Sequence, residues 1–374
     1  MADYKRTLQG LCFITCICSG TVQAGDLQIR GFSDLIASKS STDLPVGTIN
    51  NNGKRLTVDS ESDLGLNLSA DLGNKITFAS QILANGKGGA YRLFADWLFA
   101  TYRPTDGWAI RVGRQINPQF LYSEQYAVGY TYLWTRLPSE VYGLNPIDSF
   151  NGLSIIYTVP LAGDFQLKTQ LYGGAGDTQG SGPFYTYSAA LDDDKGIELT
   201  LSSDRIKIRA GYNTTNPKVS ESIQTPVLPG NPVLGTIALN ENIGSIQSFT
   251  AGTSLEWRDF ELLSEMVRLT GTGDFIRTAT GVYGTLGYHL LPSITPYFTY
   301  AWEGDLSGIA YTFPDPTVST TRLTDEHGIT FGLNFKVSPS AIVKTEYMRT
   351  EEHFVDTSRN FGANTFTAAF DFIF

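Results

Sequence analysis

The chain has 374 residues, including 38 glycines, 22 phenylalanines and 19 tyrosines, and its formal net charge is −10. This excess of glycine and aromatic residues is unusual for a soluble enzyme, and the acidic balance argues against nucleic acid as a partner. After the N-terminal segment no stretch has about 18 consecutive apolar residues, which excludes an ordinary transmembrane helix.

The first 24 residues have the pattern of a secretory signal peptide. A short basic region at 5–6 precedes an apolar run at 8–18, and the segment ends in VQA at 22–24, where cleavage is expected. The sequence therefore predicts an exported mature chain, residues 25–374, that forms a single domain.

All three cysteines, Cys12, Cys16 and Cys18, lie within this predicted signal peptide. A lipoprotein is the alternative, but the residues just before the cysteines are not the small ones that such processing favours. Removal of 1–24 leaves 25 basic and 36 acidic residues, a net charge of −11. The mature chain then has no disulfide, no thiolate metal site and no cysteine nucleophile.

From residue 27 onward the periodicity predicts β structure almost throughout. Segments of roughly 9 to 12 residues alternate apolar and polar positions, and the connections between them are alternately short and long. Fourteen or eighteen strands also fit, because 57–61 and 184–194 are the least secure segments. Counting favours sixteen strands, at 27–38, 57–70, 75–85, 91–103, 108–115, 151–159, 164–174, 194–202, 205–215, 246–257, 260–271, 275–289, 294–304, 325–337, 341–352 and 364–374.

The two faces of these strands indicate a membrane barrel. In the last strand the phenylalanines at 366, 370, 372 and 374 share one face, while Thr367 and Asp371 lie on the other. A secreted β-sandwich or propeller is the competing fold, but its outward face would be polar. Backbone groups in a bilayer must be paired internally, so an apolar-out sheet can cross it only as a closed barrel. The predicted fold is an all-β transmembrane antiparallel β-barrel, and sixteen strands would enclose an aqueous lumen.

Three separated stretches carry a family resemblance. SDLGLNLSADLGNKITFASQIL, at 62–83, resembles the second and third strands of the Gram-negative general porins. RVGRQ, at 111–115, is similar to the porin motif that leads into the constriction loop. The aromatic alternation that ends in Phe370, Phe372 and Phe374 resembles the signal by which barrel-assembly machinery recognises outer-membrane barrels.

This resemblance implies a trimer of sixteen-stranded barrels in the outer membrane of a Gram-negative bacterium. Its third extracellular loop would fold inward to narrow the pore, and residues 116–150 fall in that position. The implied function is passive diffusion of small hydrophilic solutes and ions through a water-filled channel, with no bound cofactor. The implied partners are outer-membrane lipid, lipopolysaccharide, two further copies of the chain and the assembly machinery, and nucleic acid is not among them.

The porin pattern also suggests which residues line the constriction, because such pores set acidic loop residues against wall arginines. The chain departs from the family at Asp63 and Thr158, where porins carry arginine, so the net charge favours a mild cation preference. The predicted constriction residues are Arg114 on the wall, Glu124, Glu140 and Asp148 on the loop with Arg136 as their local partner, and Asp63.

The predicted inward loop is rich in aromatic residues. They could stack against a sugar or an aromatic solute, which would make the protein a substrate-selective channel. They could equally anchor the loop to the wall, since tyrosine combines a large apolar ring with a polar tip, and this interpretation is preferred. The aromatic residues concerned are Tyr122, Tyr126, Tyr130, Tyr132 and Trp134.

The mature chain has three histidines, which bears on metal binding and on catalysis. A turn at 338–340 would place His327 opposite Glu351, with His353 nearby, and carboxylates with imidazole could hold a divalent ion. Solvated carboxylates at the barrel rim are the preferred interpretation, so no metal site is predicted. An outer-membrane hydrolase is a remote alternative, and no catalytic residue is assigned.

Overall fold

Sixteen antiparallel strands close into one barrel in the computed structural model. The described residues are 27–42, 54–58, 61–86, 91–145, 148–182, 185–219, 223–224, 236–237, 244–272, 278–307, 310–311, 321–354 and 361–374. The predicted signal peptide lies outside them. The barrel strands are β1 Gln28–Ser40, β2 Asp63–Asp71, β3 Ile76–Asn85, β4 Arg92–Thr105, β5 Trp108–Ile116, β6 Ser149–Pro160, β7 Gln166–Gly182, β8 Tyr185–Ser202, β9 Ile206–Val219, β10 Ile246–Trp257, β11 Phe260–Gly271, β12 Thr278–Tyr288, β13 Ile294–Ser307, β14 Thr321–Ser338, β15 Ala341–Phe354 and β16 Phe361–Ile373.

The predicted strand count is confirmed, while several strand ends differ from the prediction. Residues 175–193 were expected to be a long loop, but β7 and β8 stay paired through this stretch as far as Gly182 and Tyr185. Two-residue strands occur within other predicted connections: Ile223–Gln224 pairs with Thr236–Ile237, and Ala310–Tyr311 pairs with β14. The strands therefore continue beyond the length that a bilayer requires.

The barrel closes where the first and last strands meet. β1 pairs with β2 on one side and with β16 on the other. At the end of this seam the Gly31 N–H donates to the Phe374 carbonyl at 2.7 Å, and the Phe374 N–H donates to the Gly31 carbonyl at 2.9 Å. Among the described strands, closure leaves the barrel sheet without an open edge, as a strand structure in a bilayer requires.

The expected alternation of faces is present in β16. Phe366, Phe370 and Phe374 are 61%, 38% and 64% exposed, whereas Thr367 and Asp371 are buried. Exposed apolar side chains continue round the other strands, so the outward face suits lipid and the polar face points inward. Further exposed residues of this band are Leu64, Leu66, Leu98, Val112, Leu153, Ile155, Leu171, Leu199, Phe249, Leu286, Phe331 and Leu333.

One end of the barrel carries only short turns. In the turn between β2 and β3 the chain takes positive φ at Gly73, Asn74 and Lys75, with values of 74°, 50° and 66°. The Asp71 carboxylate accepts a hydrogen bond from the Gly73 N–H at 2.9 Å and so stabilises this turn. The long connections lie at the other end, which is called the loop-bearing end below.

Candidate functional site

Residues 117–148, between β5 and β6, form the longest described connection, and only 146–147 lie outside the description. This connection is called the long loop. It contains two 3-10 turns, Ser123–Gln125 and Gly129–Thr131, and one helical turn, Ser139–Tyr142. Among the described residues no helix is long and apolar enough to span a membrane.

The long loop is bound to inward-facing side chains of strands that are remote in the sequence. The Lys344 ammonium group donates to the carbonyls of Gly129, Tyr132 and Trp134 at 2.6, 2.8 and 2.7 Å. It also pairs with Asp371 at 2.9 Å, and its side chain is fully buried. The single ammonium group of Lys344 on β15 therefore holds the loop backbone at three positions between 129 and 134.

Carboxylates of the wall also bind the loop backbone, and they accept hydrogen bonds from its N–H groups. Asp34 on β1 accepts the Gly129 N–H at 2.8 Å, and Glu265 on β11 accepts the Leu121 N–H at 2.7 Å. Glu346 on β15 accepts the Thr135 N–H at 2.7 Å and also accepts the Tyr297 hydroxyl. Hydrogen bonds with a charged partner are about twice as strong as neutral ones, so these carboxylates fix the path of the loop.

An aromatic cluster fills the space between the loop and β11–β13. Trp134 is buried, its indole N–H donates to the Thr299 hydroxyl at 2.8 Å, and its ring meets Tyr283 edge-on at 5.3 Å. Tyr122 packs edge-on against Trp134 at 5.9 Å. The members of the surrounding cluster are Phe120, Leu133, Leu137, Val141, Ile246, Leu263, Val267, Leu269, Ala279, Tyr297 and Ala301.

The remaining predicted aromatic residues lie in two different environments. The Tyr130 hydroxyl donates to the Pro339 carbonyl at 2.6 Å, in the short turn between β14 and β15. Tyr132 donates its hydroxyl to the Tyr126 carbonyl at 3.3 Å. The Tyr126 side chain is 49% exposed. Most of the loop aromatics thus make anchoring contacts, and the Tyr126 side chain is about half exposed.

Glu124 faces a basic part of the wall. Its carboxylate pairs with Arg111 on β5 at 3.0 Å, and the Arg111 guanidinium also stacks over the Phe99 ring at 4.9 Å. Partial desolvation inside the barrel opposes ionisation of Glu124, but Lys168 and Arg111 outweigh it and lower the pKa of this carboxyl to about 2. Glu124 is therefore ionised throughout the ordinary pH range.

Arg114, the wall arginine suggested by the RVGRQ motif, lies elsewhere. Its Nε–H donates to the Asp96 carbonyl at 3.1 Å, and its cross-strand neighbour is the exposed Leu98. Arg111, three residues earlier in the same strand, is the residue that reaches Glu124. The sequence offered a signal for this, since Arg111 alternates with the outward-facing Val112.

Asp63 and Arg136 both lie beside β1. Asp63 is opposite Asp34 in the β1–β2 register and accepts a hydrogen bond from the Asn85 side chain. Arg136 pairs with Glu61 at 2.7 Å and donates to the Thr367 hydroxyl at 2.7 Å. Neither residue is in contact with Glu124 in the described ion pairs and hydrogen bonds.

Glu140 is buried in the helical turn of the long loop. The turn packs so closely on the wall that a Cβ at Gly281 or Gly328 would overlap Glu140. Burial raises the pKa of Glu140. Two buried wall glutamates, Glu303 and Glu326, interact electrostatically with Glu140, and the buried Glu352 is aligned with them across β13–β15.

Asp148 closes the loop, and its carbonyl accepts the Asn117 N–H at 3.0 Å. The side chain of Asp148 is exposed. The ends of the long loop are thus paired with each other, which continues the β5–β6 ladder by one residue.

The histidine group predicted at the rim has a different composition in the structure. His327 is opposite Glu351 as expected, but the Glu351 carboxylate pairs with Arg349 at 2.6 Å. Both His327 and His353 instead contact Asp325, at 3.0 and 2.6 Å.

A closed barrel with an apolar outside, a polar inside and a loop bound to its inner wall defines an integral β-barrel protein of the channel class. The chain belongs to the Gram-negative porin family, whose sequence profile matches residues 12–353. The protein is therefore an outer-membrane channel for passive diffusion, and the family points to a channel rather than an enzyme. No curated protein matches the chain in sequence.

Solved structures with the same fold include three outer-membrane proteins. The outer membrane channel DcaP of Acinetobacter baumannii has a TM-score of 0.57 and 12% identity, over 95% of this chain and 99% of that one. The anion-selective porin from Comamonas acidovorans has a TM-score of 0.59 and 12% identity, over 94% and 100%. Salmonella typhi OmpF in complex with daunomycin has a TM-score of 0.59 and 11% identity, over 94% and 98%.

Proposed function

We propose that the exposed edge of the long loop, residues 124–126, and the facing wall of β5, β7 and β9 form the constriction of the channel. The observation that carries this proposal is the ion pair between Glu124 and Arg111, at 3.0 Å, on a loop that is anchored elsewhere to β1, β11, β13 and β15. Small hydrophilic solutes would pass between this edge and the wall.

The charges round Glu124 favour anions. Lys168 and Lys207 both lie close enough to interact electrostatically with its carboxylate, and Arg111 contacts it. The neighbouring Arg209 is already paired with the buried Glu198 at 2.9 Å. Three cations against one carboxylate give the passage a net positive charge, since the fourth cation is neutralised by its own partner.

This proposal replaces the mild cation preference expected from net charge. Three acidic side chains of the wall, Asp34, Glu265 and Glu346, are engaged beneath the long loop and accept hydrogen bonds from it. Charges that are buried under protein contribute less to ion selection than charges at the surface of the passage. The net charge of the chain is thus a weak guide to the charge of its pore.

Channel recordings in planar bilayers test the constriction. We expect ohmic conductance and a reversal potential in a KCl gradient that indicates chloride preference. Arg111→Gln and Lys168→Gln should each shift the permeability ratio toward potassium by roughly two- to fivefold, as expected for one charge acting across several ångströms of water. Glu124→Gln should shift it toward chloride.

The matched control for these variants is Arg349→Gln. Arg349 is also paired with a glutamate, Glu351, but both side chains are largely exposed on the outward face of the wall. This variant should leave the reversal potential unchanged. If it changes ion preference as much as Arg111→Gln, or if neither wall variant has an effect, the assignment of the constriction is wrong.

A channel selective for sugars or aromatic solutes is the second candidate function. The exposure of the Tyr126 side chain favours it. Its exposed ring lies next to the proposed constriction residue Glu124. Of the five loop aromatics Tyr126 is the most exposed. A solute that blocks current in the wild type and not in Tyr126→Ala would support this candidate over a general diffusion pore.

The partners proposed for the chain follow from its family. We propose a homotrimer in contact with lipid and lipopolysaccharide, inserted by the barrel-assembly machinery through its aromatic last strand. OmpT of Vibrio cholerae, which has the same fold at a TM-score of 0.57 and 12% identity, has been solved in a trimer form. The mass of the protein in mild detergent, measured by light scattering, tests the trimer directly.

A further inference from the structure

Asp325, His327 and His353 form a cluster near the loop-bearing end of the barrel. Asp325 is opposite His353 in the β14–β15 register, and His327 follows two residues after Asp325. All three share the strand face of the exposed Phe331 and Leu333, so the cluster lies on the outward surface. Their side chains are about one-third exposed, at 30%, 33% and 32%.

The cluster lies at the edge of the membrane-spanning part of β14. Ser338, at the short-turn end, lies eleven positions after His327, which corresponds to roughly 26–28 Å along the membrane normal for a tilted strand. The apolar band of such barrels is about 25 Å tall. Ions in the aqueous layer can therefore reach these side chains.

Two ring nitrogens converge on one carboxylate oxygen. His353 Nδ1 lies 2.6 Å and His327 Nε2 lies 3.0 Å from the same Asp325 Oδ1. All three atoms lie within 4.8 Å of one another. The imidazole rings are 5.6 Å apart and inclined at 70°, so they approach the carboxylate from different directions.

The other nitrogen of His327 is held by an outer partner. Its Nδ1 lies 2.8 Å from the Tyr300 hydroxyl. When Nδ1–H donates to this oxygen, the lone pair of Nε2 points toward Asp325 and His353. Histidines that bind metals characteristically donate their second N–H to such a partner, which fixes the tautomer and the orientation of the ring.

We propose that Asp325, His327 and His353 bind a divalent transition-metal ion such as Zn²⁺ or Cu²⁺. Two imidazole nitrogens and one carboxylate oxygen are the ligand set that such ions prefer, whereas Ca²⁺ and Mg²⁺ prefer oxygen alone. Bonds of about 2.0–2.1 Å in tetrahedral geometry place ligand atoms about 3.3 Å apart. The His327 nitrogen–oxygen distance of 3.0 Å then needs to open by about 0.3 Å, and the His353 distance of 2.6 Å by about 0.7 Å.

The remaining coordination positions are open to water or to an external ligand. Glu351 is not part of the proposed set, because its carboxylate is engaged by Arg349 at 2.6 and 2.7 Å. The site would lie on the outer surface, away from the proposed constriction. Its occupancy should therefore have no effect on the reversal potential of the channel.

Titration of the refolded barrel of residues 25–374, which contains no cysteine, with Zn²⁺ alone in detergent tests the proposal. We expect one ion per chain, with affinity reduced at least tenfold in His327→Ala, His353→Ala and Asp325→Asn. Tyr300→Phe should weaken binding by a smaller factor, because it removes an outer partner. A thousandfold excess of Ca²⁺ should not displace the zinc.

The third histidine of the mature chain provides the control. His289 lies in the short turn at the opposite end of the barrel, where its Nδ1 is 3.0 Å from the Thr295 hydroxyl. His289→Ala should bind zinc as the wild type does. Each variant is first checked for the folded barrel by its mobility on unheated gels.

Electron paramagnetic resonance of the Cu²⁺ form gives a second readout that does not depend on affinity. The spectrum should show coupling to two imidazole nitrogens in the wild type, and to one in His327→Ala and in His353→Ala. The proposal is overturned if zinc binding survives both histidine variants. It is also overturned if binding is lost in His289→Ala, or if Ca²⁺ competes at equal concentration.

Discussion

The Lys344 ammonium group lies 2.9 Å from the Asp371 carboxylate in the interior of the barrel, and both side chains are almost completely buried. The same ammonium group donates to three carbonyls of the long loop. A buried charge of this kind is tolerated only when its partners satisfy it. The pair therefore couples β15 and β16 to the path of the loop.

Lys344→Met should release part of the long loop. The substitution leaves Asp371 buried without its cation and leaves three carbonyls without their donor, a loss of about 3–5 kcal/mol for breaking a buried pair. We expect faster amide hydrogen exchange at 129–135 and noisier single-channel current, while the barrel itself remains folded.

Lys195→Met is the matched control for this variant. Lys195 also pairs with an aspartate, Asp193, at 2.8 Å, but both side chains are more than half exposed. Exposed pairs contribute about 0–1 kcal/mol. Equal exchange rates at 129–135 in the two variants would mean that the Lys344 contacts do not hold the loop.

Trp134→Ala should also loosen the loop. The change empties the centre of the aromatic cluster and removes the hydrogen bond to Thr299, and truncation of a buried tryptophan costs about 3–5 kcal/mol. We expect increased exchange at 120–144. Trp257→Ala, at a side chain that is 56% exposed at the end of β10, should leave this segment unchanged.

The raised pKa of Glu140 predicts that acid strengthens docking of the helical turn. Burial favours the protonated carboxyl, so the docked loop holds a proton that the undocked loop releases as pH rises above its ordinary pKa of 4.5. Docking then weakens between that value and the raised pKa and becomes constant above it.

Amide exchange of residues 139–144 at about pH 4 and about pH 8, corrected for intrinsic rates, measures this effect. The wild type should lose protection at the higher pH, whereas Glu140→Gln should keep it. Glu303 and Glu326 interact electrostatically with Glu140, and Glu352 interacts with both of them. An unchanged pH dependence in Glu140→Gln would assign the effect to these wall residues instead.

Glu124 should behave in the opposite way. Its pKa of about 2 lies below the ordinary value of 4.5, so its ion pair is fully present above 4.5 and is lost only as pH falls through about 2. The contribution of Glu124 to ion preference, taken as the difference between wild type and Glu124→Gln, should be constant from about pH 5 to about pH 8. A midpoint within that range would contradict the assigned pairing with Arg111.

The barrel was predictable from the sequence because its pattern is local. Alternation along each strand is enough to separate Phe370 from Asp371, and the turn at 338–340 correctly places His327 opposite Glu351. The same alternation explains why the sequence pointed to the wrong arginine of β5. A shift of a single residue reverses the face of a strand, and the motif drew attention to Arg114 although Arg111 is the residue that contacts Glu124.

The anchors of the long loop could not be predicted in this way. Lys344 and Glu346 bind residues that precede them by more than 200 positions, and no local pattern links such partners. The metal cluster illustrates a further limit. Strand register identifies neighbours, but only side-chain geometry shows that Asp325 turns toward both histidines while Glu351 turns toward Arg349.

The most direct test of the central claim is chemical blockage of the proposed constriction. No cysteine follows Cys18 in the sequence. In a chain of residues 25–374, Gln125→Cys therefore introduces a single reactive thiol at the exposed edge of the long loop, and Arg349→Cys introduces one on the outward face. A negatively charged, thiol-reactive methanethiosulfonate reagent is added during bilayer recording. It should reduce the current through Gln125→Cys and leave the current through Arg349→Cys unchanged. Full labelling of Gln125→Cys without any change in current would contradict the proposal that this edge lines the pore.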